Sequence, residues 1–152
     1  MPSDPQPPSA ERIEHLQRRR TRLAFTQGLF FLIWQANFFS MNEDSGRTVD
    51  HVKVAAYILW SIILLAFIGT GGGWIQPRAV RVILNDESTI AHRRQATTLG
   101  FWAAIGAALG CYVLSLFEPV TAREVIHAVL SLGIATAVLN FAFLERRAQA
   151  DA

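Results

Sequence analysis

The stretch VAAYILWSIILLAFIGTGGGWI, from Val54 to Ile75, decides the fold. It contains no Asp, Glu, Lys or Arg. About 20 mainly apolar residues are what a helix needs to cross the ~30 Å hydrocarbon core of a bilayer. Moving outward, three more uncharged runs of similar length appear: Leu23–Asn42 before it, then Gln95–Phe117 and Val125–Leu144 after it. Together the four runs take up more than half of the 152 residues. The composition agrees with this: 51% of residues are hydrophobic and 17% are charged, against about a quarter charged in an ordinary soluble domain. A soluble globular enzyme, a disordered tail and a disulfide scaffold are all excluded. The single cysteine, Cys111, has no partner within the chain for a bridge.

The expected fold is all-α: an integral membrane protein built as an antiparallel four-helix transmembrane bundle. Its spans fall at about 23–41, 52–75, 98–117 and 122–144. Residues 1–9 hold Pro2, Pro5, Pro7 and Pro8 and read as a disordered tail. Residues 10–22 read as a cytoplasmic helix leading into the first span, capped by Ser9 and carrying a Glu14–Arg18 pair at i,i+4. No short apolar stretch with a small-residue cleavage site precedes the first run, so that run is expected to stay as a transmembrane helix.

Orientation follows from arginine placement. Arg12, Arg18, Arg19, Arg20 and Arg22 precede the first run; Arg78, Arg81, Arg93 and Arg94 lie between the second and third; Arg146 and Arg147 follow the fourth. The remaining connections hold only Arg47, Lys53 and Arg123. Four crossings therefore put most of the basic residues on one side, with both termini and the 145–152 tail cytoplasmic. The expected location is the cell inner membrane, crossed several times. The net charge of +2 and pI near 9.2 then belong to flanks that meet anionic headgroups, and no nucleic-acid partner is implied.

The cytoplasmic connection 76–97 is the longest. Val80, Ile83 and Leu84 form one apolar stripe at i, i+3, i+4. Asn85 and Asp86 are suited to cap a new helix, with Glu87 in its first turn. Asp86, Glu87, His92, Arg93 and Arg94 make the densest group of reactive side chains, but their spacing does not place two metal ligands on one helix face. They read as a docking surface for a cytosolic partner, or as a helix cap with lipid anchors. Gly71-Gly72-Gly73 reads as a flexible end to the second span.

Polar groups inside a span are costly unless partnered. Gln27, Gln35, Asn37, His127 and Asn140 are such groups. Gln27 and Asn140 lie at similar depth and are expected to hydrogen-bond, clipping the first span to the fourth. The set reads as interhelical glue or as a small ligand pocket. No Asp, Glu, Lys or Arg lies deep in a span, which disfavours proton-coupled transport and intramembrane proteolysis. His51 and His127 lie near one face, too thin a pattern for a haem, and no metal or other cofactor is implied. In the third span, Gly106 and Gly110 form a GxxxG, beside a small-residue stripe through Ala103 and Ala107. Small faces let membrane helices approach closely, so the third span is expected at the centre of the bundle, with a homodimer seam as the other use of this face.

The run Leu84-Asn85-Asp86-Glu87-Ser88-Thr89, continuing through Arg93, Arg94, Ala96, Gly100, Phe101 and Trp102, resembles a pattern in small four-helix bacterial inner-membrane proteins. In these an Asn-Asp-Glu turn precedes an Arg-bearing helix entering the third span. The resemblance covers about 20 residues and the general layout. It implies an integral membrane protein with no established catalysis, of a kind suspected of acting with a cytosolic regulator. The combined expectation is a non-enzymatic interaction or regulatory component docking through 76–97, with a ligand-binding or transport component as the alternative.

Overall fold

A computed structural model describes residues 10–40, 48–72 and 87–150. Among these residues the chain forms four helices: α1 (Ala10–Ser40), α2 (Thr48–Thr70), α3 (Glu87–Leu114) and α4 (Ala122–Ala150). Three of them, α2 from His51 onward, α3 and α4, are long and apolar enough to cross a membrane. The fourth expected span lies inside α1 and is less apolar, because Thr26, Gln27, Gln35 and Asn37 interrupt it. The outside of the molecule is apolar: Phe30, Leu59, Trp102, Leu109, Tyr112 and Phe117 all stand exposed. A water-soluble monomer rarely shows so large an apolar surface.

Helix α4 is the centre of the bundle, in place of the expected third span. It touches all three other helices. Its buried residues are His127, Ser131, Ile134, Ala135, Ala137, Val138, Phe141, Ala142 and Glu145. They recur at three- and four-residue steps, a stripe running the length of the helix. Buried residues on α3 are only Thr89, Ala96 and Gly100, so α3 packs by one narrow face.

That face is built from glycine and alanine. A Cβ at Gly100 would fall 2.7 Å from the Gly133 carbonyl oxygen and 2.7 Å from Ala137 Cβ. One at Gly133 would fall 3.0 Å from Ala104 Cβ. Gly100 and Ala104 on α3 thus meet Gly133 and Ala137 on α4, a small-xxx-small pair on each side. This close approach of small faces carries the α3–α4 contact. The expected packing set Gly106, Gly110, Ala103 and Ala107 lies elsewhere. Gly106 and Gly110 are exposed and have open space where a Cβ would stand, while Ala103 and Ala107 are half-buried.

On the other side of α4, Gly28 of α1 sits against Val138 and Leu139. Phe31 is fully buried, its ring stacked on Tyr57 and edge-on to Trp60 of α2. Trp34 and Phe30 close the outer side of Trp60.

Two local motifs set the helix ends. Thr121-Ala122-Arg123-Glu124 forms a capping box at the start of α4. Glu124 Oε2 accepts from the Thr121 backbone N–H at 2.8 Å, and Thr121 Oγ1 accepts from the Glu124 N–H at 3.3 Å. Helix α2 ends in a Schellman motif: the Gly72 N–H donates to the Phe67 carbonyl at 2.8 Å and the Gly71 N–H to Ile68 at 3.2 Å. Gly71 and Gly72 hold φ of 65° and 71°, the left-handed region glycine adopts without penalty. The expected flexible end is therefore, at these two glycines, a closed cap.

Candidate functional site: a buried charged cluster joining four helices

The bonding at the end of α2 begins with orphan carbonyls. The last carbonyls of any helix lack intrahelical partners and carry the negative end of its dipole. Here two arginines from other helices supply donors. Arg20 of α1 donates through NH1 to the Gly71 carbonyl at 3.1 Å. Arg93 of α3 donates through NH1 to the Gly69 carbonyl at 3.0 Å.

Arg20 does more than cap. Its side chain is buried, only 6% exposed, as is Glu145 of α4 at 7%. NH2 donates to Glu145 Oε2 and to Thr89 Oγ1 of α3 at 3.4 Å. The guanidinium also lies 5.6 Å from the centroid of the Phe141 ring, a cation–π contact. Its aliphatic stem crosses Gly72, where a Cβ would stand 3.1 Å from Arg20 Cγ. The other carboxylate oxygen, Glu145 Oε1, lies 3.1 Å from Nδ1 of His92; a carboxylate can only accept, so the contact is a hydrogen bond in the tautomer with Nδ1 protonated. One turn further along α4, Gln149 Nε2 donates to Thr21 Oγ1 at 2.9 Å.

All four helices thus meet at one buried cation–anion pair. Arginine suits this role because its fork of donors reaches several acceptors at once. Chemically the cluster is a clamp. Both oxygens of Glu145 are engaged, and no nucleophile faces them among the described contacts. No group of three or more His, Cys, Asp or Glu among the described residues is placed to hold a metal ion.

A second polar level lies toward the other end of the bundle. The Tyr57 ring packs on the His127 ring at 4.3 Å between centroids, and its hydroxyl lies 3.4 Å from Ser131 Oγ. Gln35 and Ser61 are buried, with exposures of 4% and 7%. Gln35 Nε2 and Ser61 Oγ have no hydrogen-bond partner among the described residues.

The structure separates the expected docking residues into two groups. Glu87 and Arg94 are exposed. His92 and Arg93 turn inward to Glu145 and Gly69. Asp86 lies outside the described residues, as does the 76–86 stretch with its apolar stripe. Of the expected intramembrane polar set, Gln35 and His127 are buried, while the side chain of Asn37 lies outside the described residues. The Gln27–Asn140 bond does not form: Gln27 is exposed and Asn140 Oδ1 lacks a partner among the described residues. Gly28, one position on, is what faces α4, and a single helical step turns Gln27 away by about 100°.

Arg20, Thr89 and Glu145 carry the clamp, and their residue types alone do not single them out. Helical phase does. Arg20, Ala24, Phe31 and Gln35 share one face of α1, and Glu145 continues the buried stripe of α4 by one turn beyond Phe141. The Glu14–Arg18 pair forms as expected, at 2.6 Å on the surface. Set against known proteins, the chain matches no family model, no curated protein and no solved structure.

Proposed function

We propose that the chain is a four-span protein of the cell inner membrane with both termini cytoplasmic, acting without catalysis as an interaction or regulatory component. Its cytoplasmic face, built on 76–97 and the first turns of α1, docks a partner. The observation that carries this reading is the clamp itself. Arg20, His92, Arg93 and Glu145 tie the four helices together, and they do so at the arginine-rich end. That leaves a rigid platform from which Glu87, Arg94, Arg146 and Arg147 point outward. The contacts also support an antiparallel arrangement: His92 meets Glu145 while Gly100 meets Gly133, and Thr21 meets Gln149 while Gly28 meets Leu139. Exposed Leu23, Phe25, Phe30 and Ile33 support α1 as the fourth span, with lipid against them.

Photocrosslinking probes at positions 87 and 94, in cells, test the docking reading. The expected result is a discrete protein adduct at these positions, lost from the probe at 87 on Arg94→Ala and from the probe at 94 on Glu87→Ala, and none from a probe at Leu109. Equal adducts at all positions, or none, contradict it. Topology is tested separately by periplasm-dependent reporters, which should be inactive after residue 152 and active in the 42–50 connection.

A second reading has its own observation. The unpartnered Gln35 Nε2 and Ser61 Oγ, together with the buried His127 and Ser131, suit a ligand-binding or transport role. It predicts that Gln35→Leu changes the affinity for a bound small molecule while Arg94→Ala does not.

A further inference from the structure

Beside the clamp, α2, α3 and α4 splay apart around a groove of about 530 Å³. Its floor is the Gly100–Gly133 crossing, continued by Ala104 and Ala137. Its walls are apolar and reach the outer surface: Leu65 of α2, Phe101 of α3 and Leu130 of α4 line it and are exposed. At one end the lining changes character to Arg93, Arg94 and Thr97. The groove is therefore amphiphilic, with a cationic mouth and an apolar length.

The geometry points to a specific site for one anionic phospholipid, its phosphate held between Arg93 and Arg94 and one acyl chain lying along the Phe101–Ala104 wall. Three features agree on this occupant. The charge at the mouth is positive, and guanidinium forks match phosphate oxygens. The bond from Arg93 NH1 to the Gly69 carbonyl fixes that guanidinium in place while leaving further N–H donors for a ligand. The length also fits. From Arg93 to Ala104 the helix rises about 16 Å at ~1.5 Å per residue, close to one leaflet of a ~30 Å hydrocarbon core. A chain of that length would reach the depth of the Gly100–Gly133 crossing and fill the space the small residues leave open.

The site rests on the membrane-spanning part of the proposed function and shares Arg94 with its docking part; Thr97→Trp, which leaves Arg94 in place, separates the two. Retention of the protein in alkali-washed membranes tests the spanning part on its own. The lipid site is tested by native mass spectrometry of the full chain, equilibrated in mixed micelles of phosphatidylglycerol and phosphatidylcholine. The expected result is one retained phosphatidylglycerol per chain, with little phosphatidylcholine. Arg94→Gln should weaken retention about fivefold, the effect of one basic residue at an anionic surface. Thr97→Trp, at an exposed lining position, should block the groove and abolish retention without changing charge. Arg146→Gln, at the same end but away from the groove, should leave it unchanged. Equal retention of both lipids, or phosphatidylglycerol retained undiminished by Thr97→Trp, overturns the site. So does a dimer mass that Thr97→Trp converts to monomer, because the occupant would then be a second copy of the chain.

Discussion

The two polar levels of this bundle are both buried, yet they are held by different means. At the charged end, Arg20 and Glu145 form an ion pair that also engages Thr89, His92 and the Gly71 carbonyl. At the other level, Tyr57, Ser131 and His127 meet through one long contact and ring packing, while Gln35 Nε2 and Ser61 Oγ have no partner among the described residues. A buried charge costs far more to leave uncompensated, and each of the other three helices supplies Arg20 with a partner, although its Nε has no hydrogen-bond partner among the described residues. Neutral polar groups cost less to leave short of a bond, so the second level tolerates gaps. The first level fixes geometry; the second leaves Gln35 Nε2 and Ser61 Oγ unpartnered among the described residues.

This contrast can be broken most directly at Arg20. Arg20→Met leaves the Glu145 carboxylate buried beside an apolar side chain, and removing one partner of a buried pair costs about 3–5 kcal/mol. Thermal unfolding in detergent, followed by circular dichroism, should show a larger loss than any single change at the helix crossing or at the second level. The helix crossing comes next. Gly100→Val places a branched side chain on the Gly133 carbonyl, and such overpacking costs about 1–3 kcal/mol. Gly106→Val, facing open space, should change within-chain stability by less than about 0.5 kcal/mol.

At the second level the effects should be smaller and of mixed sign. Tyr57→Phe removes the contact to Ser131, and hydrogen bonds between membrane helices average about 0.6 kcal/mol. Gln35→Leu should leave the melting temperature unchanged or raise it, because an unpartnered buried donor is lost. A fall comparable to that of Arg20→Met would show that Gln35 is engaged after all. The smallest effect is expected at the surface: Glu14→Ala breaks an exposed i,i+4 pair worth about 0.3–0.5 kcal/mol. Far-ultraviolet ellipticity of α1 should register at most slight fraying.

Much of the helical layout is legible in the residues. Uncharged runs mark α2, α3 and α4, and the glycines after Thr70 mark where α2 stops. What the residues do not convey is which helix is central. Small residues crowd α3, but α4 carries the unbroken buried stripe from His127 to Glu145, and only a helix flanked on several sides needs one. The same blindness hides the clamp. Arg20 sits in a run of arginines that all look alike by type, and Glu145 precedes two more. The two partners are 125 positions apart, so pairing depends on helix phase and packing register together. Gly71 and Gly72 mislead for a related reason: their Schellman bonds are local, but Arg20, which caps the Gly71 carbonyl, lies 51 positions away in the chain. Gln27 and Asn140 match in depth but not in phase, and both must agree for a bond to form.

The central claim is that Arg20 and Glu145 act as one unit binding four helices together. A double-mutant cycle of Arg20→Met and Glu145→Leu, read by thermal unfolding in the same detergent, measures that coupling. The account predicts that each single change is strongly destabilising and that the double variant recovers much of the loss, since no uncompensated charge remains. Two losses that simply add would contradict it, because Arg20 and Glu145 would then be contributing independently.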